Sequence, residues 1–132
     1  MPVIVETLTE PSPQDRIDLA KIFADAPAWL LAPHADAAAL IEAGLADQSL
    51  IAGRFNDRLL GAALLQRGAQ NWRLSHLCVR KITRRRGVGR RLVEESQRLA
   101  SEAGLPLHLA APAHQLEAQA LAARTHLPLD PV

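Results

Sequence analysis

The sequence predicts a single domain, residues 1–132, of mixed α/β fold in which helices cover a mixed sheet (α+β). The length of 132 residues is typical of one domain. Hydrophobic residues make up 48% of the chain, with 24 alanines and 22 leucines against four aromatics, so helices must supply much of the core. The apolar residues also change between a strand-like and a helix-like period along the chain.

The first third of the chain is predicted to form one strand and two helices. Val3–Leu8 alternates branched and polar side chains, as a strand does. Ser12 is suited to cap a helix that Pro27 ends. An alanine-rich helix is predicted over about Asp36–Ala43, with Gly44 as the residue that terminates it.

The middle of the chain is predicted to be an antiparallel meander. Ser49–Phe55 and Leu59–Gln66 are apolar runs joined by the turn residues 56–58. A third strand is expected over Trp72–Arg80.

The C-terminal part is predicted to add helix, strand and helix. A helix runs from Val88 to the stop signal at Gly104, followed by a strand over Leu107–Ala111 and a helix over His114–Thr125. The crossover helix makes the last two strands parallel. The predicted order is β-α-α-β-β-β-α-β-α with a shortened C-terminus, and whether residues 127–132 add a strand is left open.

Composition and charge exclude several classes of protein. The longest apolar run, Leu59–Leu65, is far shorter than the roughly 20 residues that span a bilayer. No secretory signal is visible, so a cytoplasmic protein with no membrane partner is expected. A single cysteine, Cys78, forms no internal disulfide. Because His108, His114 and His126 lack ligand spacing, no metal site is predicted.

The chemistry-bearing segment is a basic loop between a strand and a helix. The run Arg84–Gly89 stands where the free N–H groups of a helix start favour an anion. Gly87 and Gly89 allow positive φ and a close approach of the backbone. A diphosphate is the occupant that this pattern favours. Seven of the fifteen basic residues lie between positions 80 and 91: Arg80, Lys81, Arg84, Arg85, Arg86, Arg90 and Arg91.

Other interpretations of the loop fit less well. A P-loop needs Lys followed by Ser or Thr after its second glycine, but Gly89 is followed by Arg90. A dinucleotide fingerprint needs a third small residue, which is missing. Nucleic-acid binding is disfavoured by the four aromatics and a pI near 8.1. A solvated arginine run leaves unexplained why arginines oppose the helix dipole.

These residues resemble a known superfamily. Arg84-x-x-Gly87-x-Gly89 matches the [Gln/Arg]-x-x-Gly-x-[Gly/Ala] signature of the GNAT acetyltransferases, and the element order is similar. The resemblance implies a GNAT (acyl-CoA N-acyltransferase) fold, with the pyrophosphate of acetyl-CoA at the loop.

A closer resemblance is to the PanZ/PanM family of acetyl-CoA-dependent maturation and regulatory factors of aspartate alpha-decarboxylase, which act in pantothenate (CoA) biosynthesis. It rests on residues 14–19, 54–60, 77–80 and 83–89. The residues that this resemblance assigns to acetyl-CoA are Leu77, Cys78, Val79, Thr83, Arg84, Arg85, Arg86, Gly87, Val88, Gly89 and Arg90. Those it assigns to the decarboxylase partner are Arg54, Asn56, Arg80 and Arg84.

The case for catalysis is weaker than the case for binding. GNAT enzymes commonly use a tyrosine to protonate the CoA thiolate, but this sequence contains no tyrosine and residues 120–125 offer no replacement acid. No catalytic residue is assigned. His76 is the best candidate for a general base, although a strand histidine without catalytic duty is the favoured interpretation, and Cys78 is interpreted as packing. The main hypothesis is therefore an acetyl-CoA-binding regulator; the alternative is an N-acetyltransferase acting on an amine.

Overall fold

A computed structural model describes residues 2–84 and 86–132 as a six-stranded sheet with helices on both faces. The strands are β1 (Ile4–Thr7), β2 (Leu50–Phe55), β3 (Arg58–Arg67), β4 (Trp72–Val79), β5 (Leu107–Ala111) and β6 (Leu129–Pro131). The helices are α1 (Pro13–Ala24), α2 (Ala28–Leu31), α3 (Ala37–Ala46), α4 (Val88–Glu102) and α5 (Leu116–Thr125), with a 3₁₀ turn at Lys81–Thr83.

The sheet is mixed, as the sequence predicts. The strands lie in chain order from β1 to β6. The pairs β1–β2, β2–β3 and β3–β4 are antiparallel, whereas β4–β5 and β5–β6 are parallel. One core cluster contains Leu19, Phe23 and Leu40 from α1 and α3 against one face of the sheet. A second contains Val88 and Leu92 of α4 against the other face. The mixed α/β fold class is thus confirmed.

The structure adds the helix α2, which the predicted order lacks, and it forms the strand β6 within residues 127–132, where the sequence left a strand open. The helix α2 has only four residues and buries none of them, so it produces no apolar period in the sequence. The strand β6 has three residues and is held by parallel pairing to β5, with Leu109 opposite Leu129. Both elements are too short for local sequence to specify them.

Gly44 does not terminate its helix, contrary to prediction. It lies inside α3, which continues to Ala46. A methyl group on Gly44 would lie 2.7 Å from Leu64 Cδ2 and 3.1 Å from Leu50 Cβ. The glycine therefore serves the close packing of α3 on the sheet.

The hairpin turn is shorter than predicted. Asn56 and Asp57 alone connect β2 to β3, with φ of 48° and 66°, and Arg58 is already part of β3. Two residues with positive φ form the turn type that matches the twist of a hairpin.

The strand β4 carries a bulge that positions the candidate site. Ala62 pairs with Cys78 and Leu64 with Ser75, so Ala63 faces two residues of β4 instead of one. Within this bulge His76 has a φ of 56°. The bulge interrupts the normal alternation of side chains along the strand.

Within the described residues, no helix has both the length and the apolar character needed to cross a membrane.

Candidate functional site

The parallel strands β4 and β5 separate beyond a short paired stretch, and a cleft opens between them. β4 and β5 are paired only where residues 72–74 face residues 107–109. Beyond this point lies a cleft of about 1640 Å³, lined by residues 75–79 of β4, residues 109–111 of β5, and parts of α4 and α5. Among the residues that the structure describes, none pairs with the backbone of β4 on this side from residue 75 onwards.

The start of α4 lies at the end of this cleft and is suited to an anion. Gly87 precedes the helix with a φ of 85°, no described side chain caps it, and its first turn contains no acidic residue. The first N–H groups of α4 thus have no intrahelical acceptor, and the helix dipole favours negative charge in front of them. Of the two glycines that allow a positive φ, Gly87 adopts one, whereas Gly89 lies in the first helical turn.

Two sheet glycines bring this helix start close to β4. Gly53 and Gly61 are cross-strand neighbours, and the Val88 side chain, 1% exposed, packs over them. A methyl group on Gly61 would lie 2.8 Å from Val88 Cγ1, and one on Gly89 would lie 3.5 Å from Val79 Cγ2. The end of β4 and the beginning of α4 are therefore in contact.

The loop between β4 and α4 is held by bonds to backbone carbonyls. Thr83 is buried, and its hydroxyl donates to the Arg80 carbonyl at 3.0 Å. Arg84 donates from Nε to the Val79 carbonyl and from Nη2 to the Asp25 carbonyl, both at 3.3 Å. Arg84 thus links the end of β4 to the end of α1 along the rim of the cleft.

Two further predicted arginines, Arg86 and Arg90, are exposed to solvent. Arg86 is exposed, and Arg90, 85% exposed, is paired with Glu94 at 3.0 Å. Arg85 was also assigned to acetyl-CoA; it lies outside the described residues.

Three consecutive predicted residues of β4 line the cleft with different surroundings. Leu77 and Val79 are half-buried and pack against the core under α4. Cys78 is buried on the α1 side, where its thiol donates to the Ile22 carbonyl at 3.2 Å. Burial raises the pKa of Cys78 to about 11, so the thiol is protonated at neutral pH.

The bulge brings together a serine and a histidine that also line the cleft. His76 Nε2 lies 2.9 Å from the Ala32 carbonyl, and Nδ1 lies 2.8 Å from Ser75 Oγ. A carbonyl can only accept, so Nε2 carries the ring proton and Nδ1 accepts from the serine hydroxyl. Burial lowers the pKa of His76, and nearby His34 adds to this effect. Sequence reasoning selected His76 but not Ser75.

The residues assigned to a partner lie at one end of the sheet. Arg54 and Asn56 belong to the β2–β3 hairpin, and the Arg80 N–H donates to the Leu60 carbonyl of the same hairpin at 3.0 Å. Arg84 follows directly after the 3₁₀ turn. The four side chains therefore belong to one end of the sheet, next to the start of α4.

Two of these arginines differ in how they are satisfied. Arg54 makes ion pairs with Glu6 and Asp15, both at 2.9 Å, and its hydrogen bonds hold the pKa of Asp15 below the usual range. Arg80 Nε, by contrast, is buried without a hydrogen-bond partner in the described part of the chain. The Arg54 guanidinium is thus already paired within the chain, whereas Arg80 Nε is a donor that no described residue accepts from.

The separated parallel strands and the uncapped helix start behind Gly87 agree with the GNAT fold that the sequence resemblance implies. Among solved structures, the PaiA N-acetyltransferase from Thermoplasma acidophilum, in complex with coenzyme A, is similar with a TM-score of 0.70. It is 13% identical, and the match covers 94% of this chain and 88% of that one. At this identity the likeness shows the fold alone.

The chain belongs to the family described as acetyltransferase (GNAT) domain, PanZ, which matches residues 2–129. A PanD regulatory factor of Salmonella typhimurium is 44% identical over 86 residues, 64% of this chain and 58% of that protein. A PanD regulatory factor of Escherichia coli K12 is 36% identical over 96 residues, 72% of this chain and 66% of that protein. The matches thus span less than two thirds of either relative.

Proposed function

We propose that this protein binds acetyl-CoA in the β4–β5 cleft and, with acetyl-CoA bound, binds aspartate alpha-decarboxylase (PanD) and controls its maturation or activity in pantothenate (CoA) biosynthesis. The observation that supports this most is the match to the PanZ family over residues 2–129. The two relatives named PanD regulatory factor point the same way.

The geometry of the cleft supports acetyl-CoA as the ligand. The uncapped N–H groups behind Gly87 are suited to the diphosphate. The unpaired edge of β4 from residue 75 onwards offers backbone donors and acceptors to the amide groups of the pantetheine arm. The half-buried side chains of Leu77 and Val79 line the same path.

The arrangement at the end of the sheet supports a link between the two ligands. Arg84 belongs both to the proposed acetyl-CoA loop and to the proposed partner surface with Asn56 and Arg80. A ligand that orders this loop raises the affinity for the partner, and the partner raises the affinity for acetyl-CoA by the same factor. Because Arg54 already pairs with Glu6 and Asp15, a partner carboxylate there exchanges with or joins an existing ion pair.

Calorimetric titration tests the proposal in two stages. We expect acetyl-CoA to bind the protein alone, and unprocessed PanD from the same organism to bind tightly only when acetyl-CoA is present. Arg84→Ala should weaken both interactions. Arg98→Ala is the matched control, since Arg98 pairs with Glu95 and Glu102 along α4 and not with the loop.

Two results would contradict the proposal. PanD binding that is equally tight with and without acetyl-CoA removes the link between the sites. Acetyl-CoA binding with no PanD binding in either condition leaves a GNAT domain with another partner or acceptor. Steady CoA release that depends on an added amine would favour the N-acetyltransferase alternative.

A further inference from the structure

We infer that Ser75 is an acetyl acceptor: with acetyl-CoA in the cleft, the Ser75 hydroxyl, assisted by His76, takes the acetyl group from the thioester. This inference rests on the acetyl-CoA binding proposed above. It adds a covalent modification site within the same cleft and requires no amine substrate.

The first support is the geometry of a nucleophile, a base and an orienting group. Ser75 Oγ lies 2.8 Å from His76 Nδ1, and His76 Nε2 lies 2.9 Å from the Ala32 carbonyl. The carbonyl fixes the tautomer in which the Nδ1 lone pair faces the serine. A base held by a third group beside a hydroxyl is the arrangement that activates serine nucleophiles.

The second support is the rigidity and the protonation state of the histidine. The bulge holds His76 at a φ of 56°, and the His34 ring packs edge-on against it at a centroid distance of 5.4 Å. Burial lowers the pKa of His76, which keeps the ring neutral and able to accept a proton at pH 7.

The third support is the position of Ser75 in the cleft. The start of α4, where the diphosphate is proposed to bind, contacts Val79. Ser75 lies four residues earlier on the same strand, at most about 13 Å away, because the bulge makes this stretch shorter than an extended strand. An arm that runs from the diphosphate along the open edge of β4 brings its far end, the thioester, toward Ser75.

The reaction balances without a further reactant. His76 Nδ1 accepts the hydroxyl proton as Ser75 Oγ bonds to the thioester carbon. The carbon–sulfur bond then breaks, and the leaving thiolate takes the proton from the imidazolium. The products are free CoA thiol and O-acetyl-Ser75, with the histidine again neutral. The imidazolium thus supplies the proton that a tyrosine provides elsewhere in the superfamily, and this chain contains no tyrosine.

The neighbouring thiol is not a competing nucleophile. The Cys78 thiol donates a hydrogen bond to the Ile22 carbonyl, and burial raises its pKa to about 11. Its thiol therefore remains in the unreactive protonated form at neutral pH.

Incubation of the full chain with acetyl-CoA tests the inference. Free thiol, intact mass and the acetylated peptide are measured in the same acid-quenched sample. We expect CoA release together with a gain of one acetyl group on Ser75. Ser75→Ala should abolish both, and His76→Asn, which keeps a residue type suited to positive φ, should slow them about 100-fold or more. Ser101→Ala, an exposed serine on α4, is the matched control and should react normally.

Calorimetric binding of acetyl-CoA separates the possible failures. Binding without acetylation of Ser75 overturns the inference and leaves the proposed ligand standing. Acetylation only at Lys21 or Lys81, unchanged by Ser75→Ala, also overturns it. An absence of acetyl-CoA binding overturns the proposed function and the inference together.

Discussion

The buried contact between Val88 and Gly61 holds the start of α4, which is also the candidate anion site. In Gly61→Ala, the new methyl group would lie 2.8 Å from Val88 Cγ1 and 3.2 Å from Val79 Cγ2. Carbon atoms pack best at about 3.5–4.0 Å, so the start of α4 must move outward by about 1 Å. We therefore expect the substitution to affect both folding stability and the binding of acetyl-CoA.

The expected loss of stability follows from two opposing terms. Overpacking a core costs about 1–3 kcal/mol. Replacing a strand glycine by alanine regains about 0.5–1 kcal/mol of backbone entropy. We expect the free energy of unfolding to fall by about 1–2 kcal/mol. The displaced helix start should also weaken acetyl-CoA binding about tenfold, or roughly 1.4 kcal/mol.

A double-mutant cycle isolates the contact. Val88→Ala alone removes two carbon atoms from a side chain that is 1% exposed, which costs about 2 kcal/mol. In the double variant, the methyl group on residue 61 occupies the space that Val88 vacates, so the two losses should not add. The coupling should be about 1–2 kcal/mol in the stabilising direction.

Urea unfolding at constant pH measures the four free energies, and calorimetry measures acetyl-CoA binding for each variant. Additive losses of stability would show that the methyl group does not meet Val88, and would refute the packing argument. If Gly61→Ala loses stability but retains full acetyl-CoA affinity, the position of the start of α4 does not affect the binding of acetyl-CoA.

Three further predictions follow from other described contacts. Hydrogen bonds from Arg54 hold the pKa of Asp15 in the folded protein below its usual value. These bonds therefore stabilise the fold at pH values above the ordinary carboxyl pKa. The stabilisation is lost as the pH falls through the lowered pKa of the folded state. Unfolding free energies measured between about pH 5 and pH 2 should therefore fall less steeply in Arg54→Met than in the unmodified protein, and equal slopes would contradict this. Because the pKa of Cys78 is raised to about 11, only about one native thiol in a thousand is ionised at pH 8. Iodoacetamide at pH 8 should therefore alkylate the native protein far more slowly than the urea-unfolded chain. Comparable rates would contradict the burial of Cys78. Asp57 has a φ of 66° in the two-residue turn, so Asp57→Gly should raise the free energy of unfolding by up to about 1 kcal/mol in urea titrations, and a loss of stability would count against the turn assignment.

Much of the fold was predictable because the spacing of apolar residues along the sequence indicates most of its strands and helices. The change from alternating apolar residues in the meander to the helical period after Val88 identifies β4 and α4, and glycines flank both ends of α4. The wrong predictions concern residues whose role depends on contacts with distant parts of the chain. Gly44 resembles a helix terminator by type, but its role depends on Leu50 and Leu64, which become its neighbours only after the chain folds.

The candidate site divides in the same way. The basic loop and Gly87 could be recognised from residue types alone, because a glycine with positive φ and an uncapped helix start are local features. The commitment of Arg54 to Glu6 and Asp15 could not, since these carboxylates lie 48 and 39 residues away in the chain. Which arginines are free to meet a ligand is therefore a property of the tertiary structure.

The sequence by itself determined the class of fold, the strand-to-helix loop suited to a diphosphate, and the absence of tyrosine. Only the tertiary structure decided the relation between Ser75 and His76. Adjacent residues of a regular strand point to opposite faces of a sheet, which separates a serine from the histidine that follows it. The bulge opposite Ala63 interrupts that alternation, and the carbonyl of Ala32, 44 residues away, sets the tautomer of the ring. The physical reason is that strand pairing and packing between distant segments, not the residue types, position these atoms.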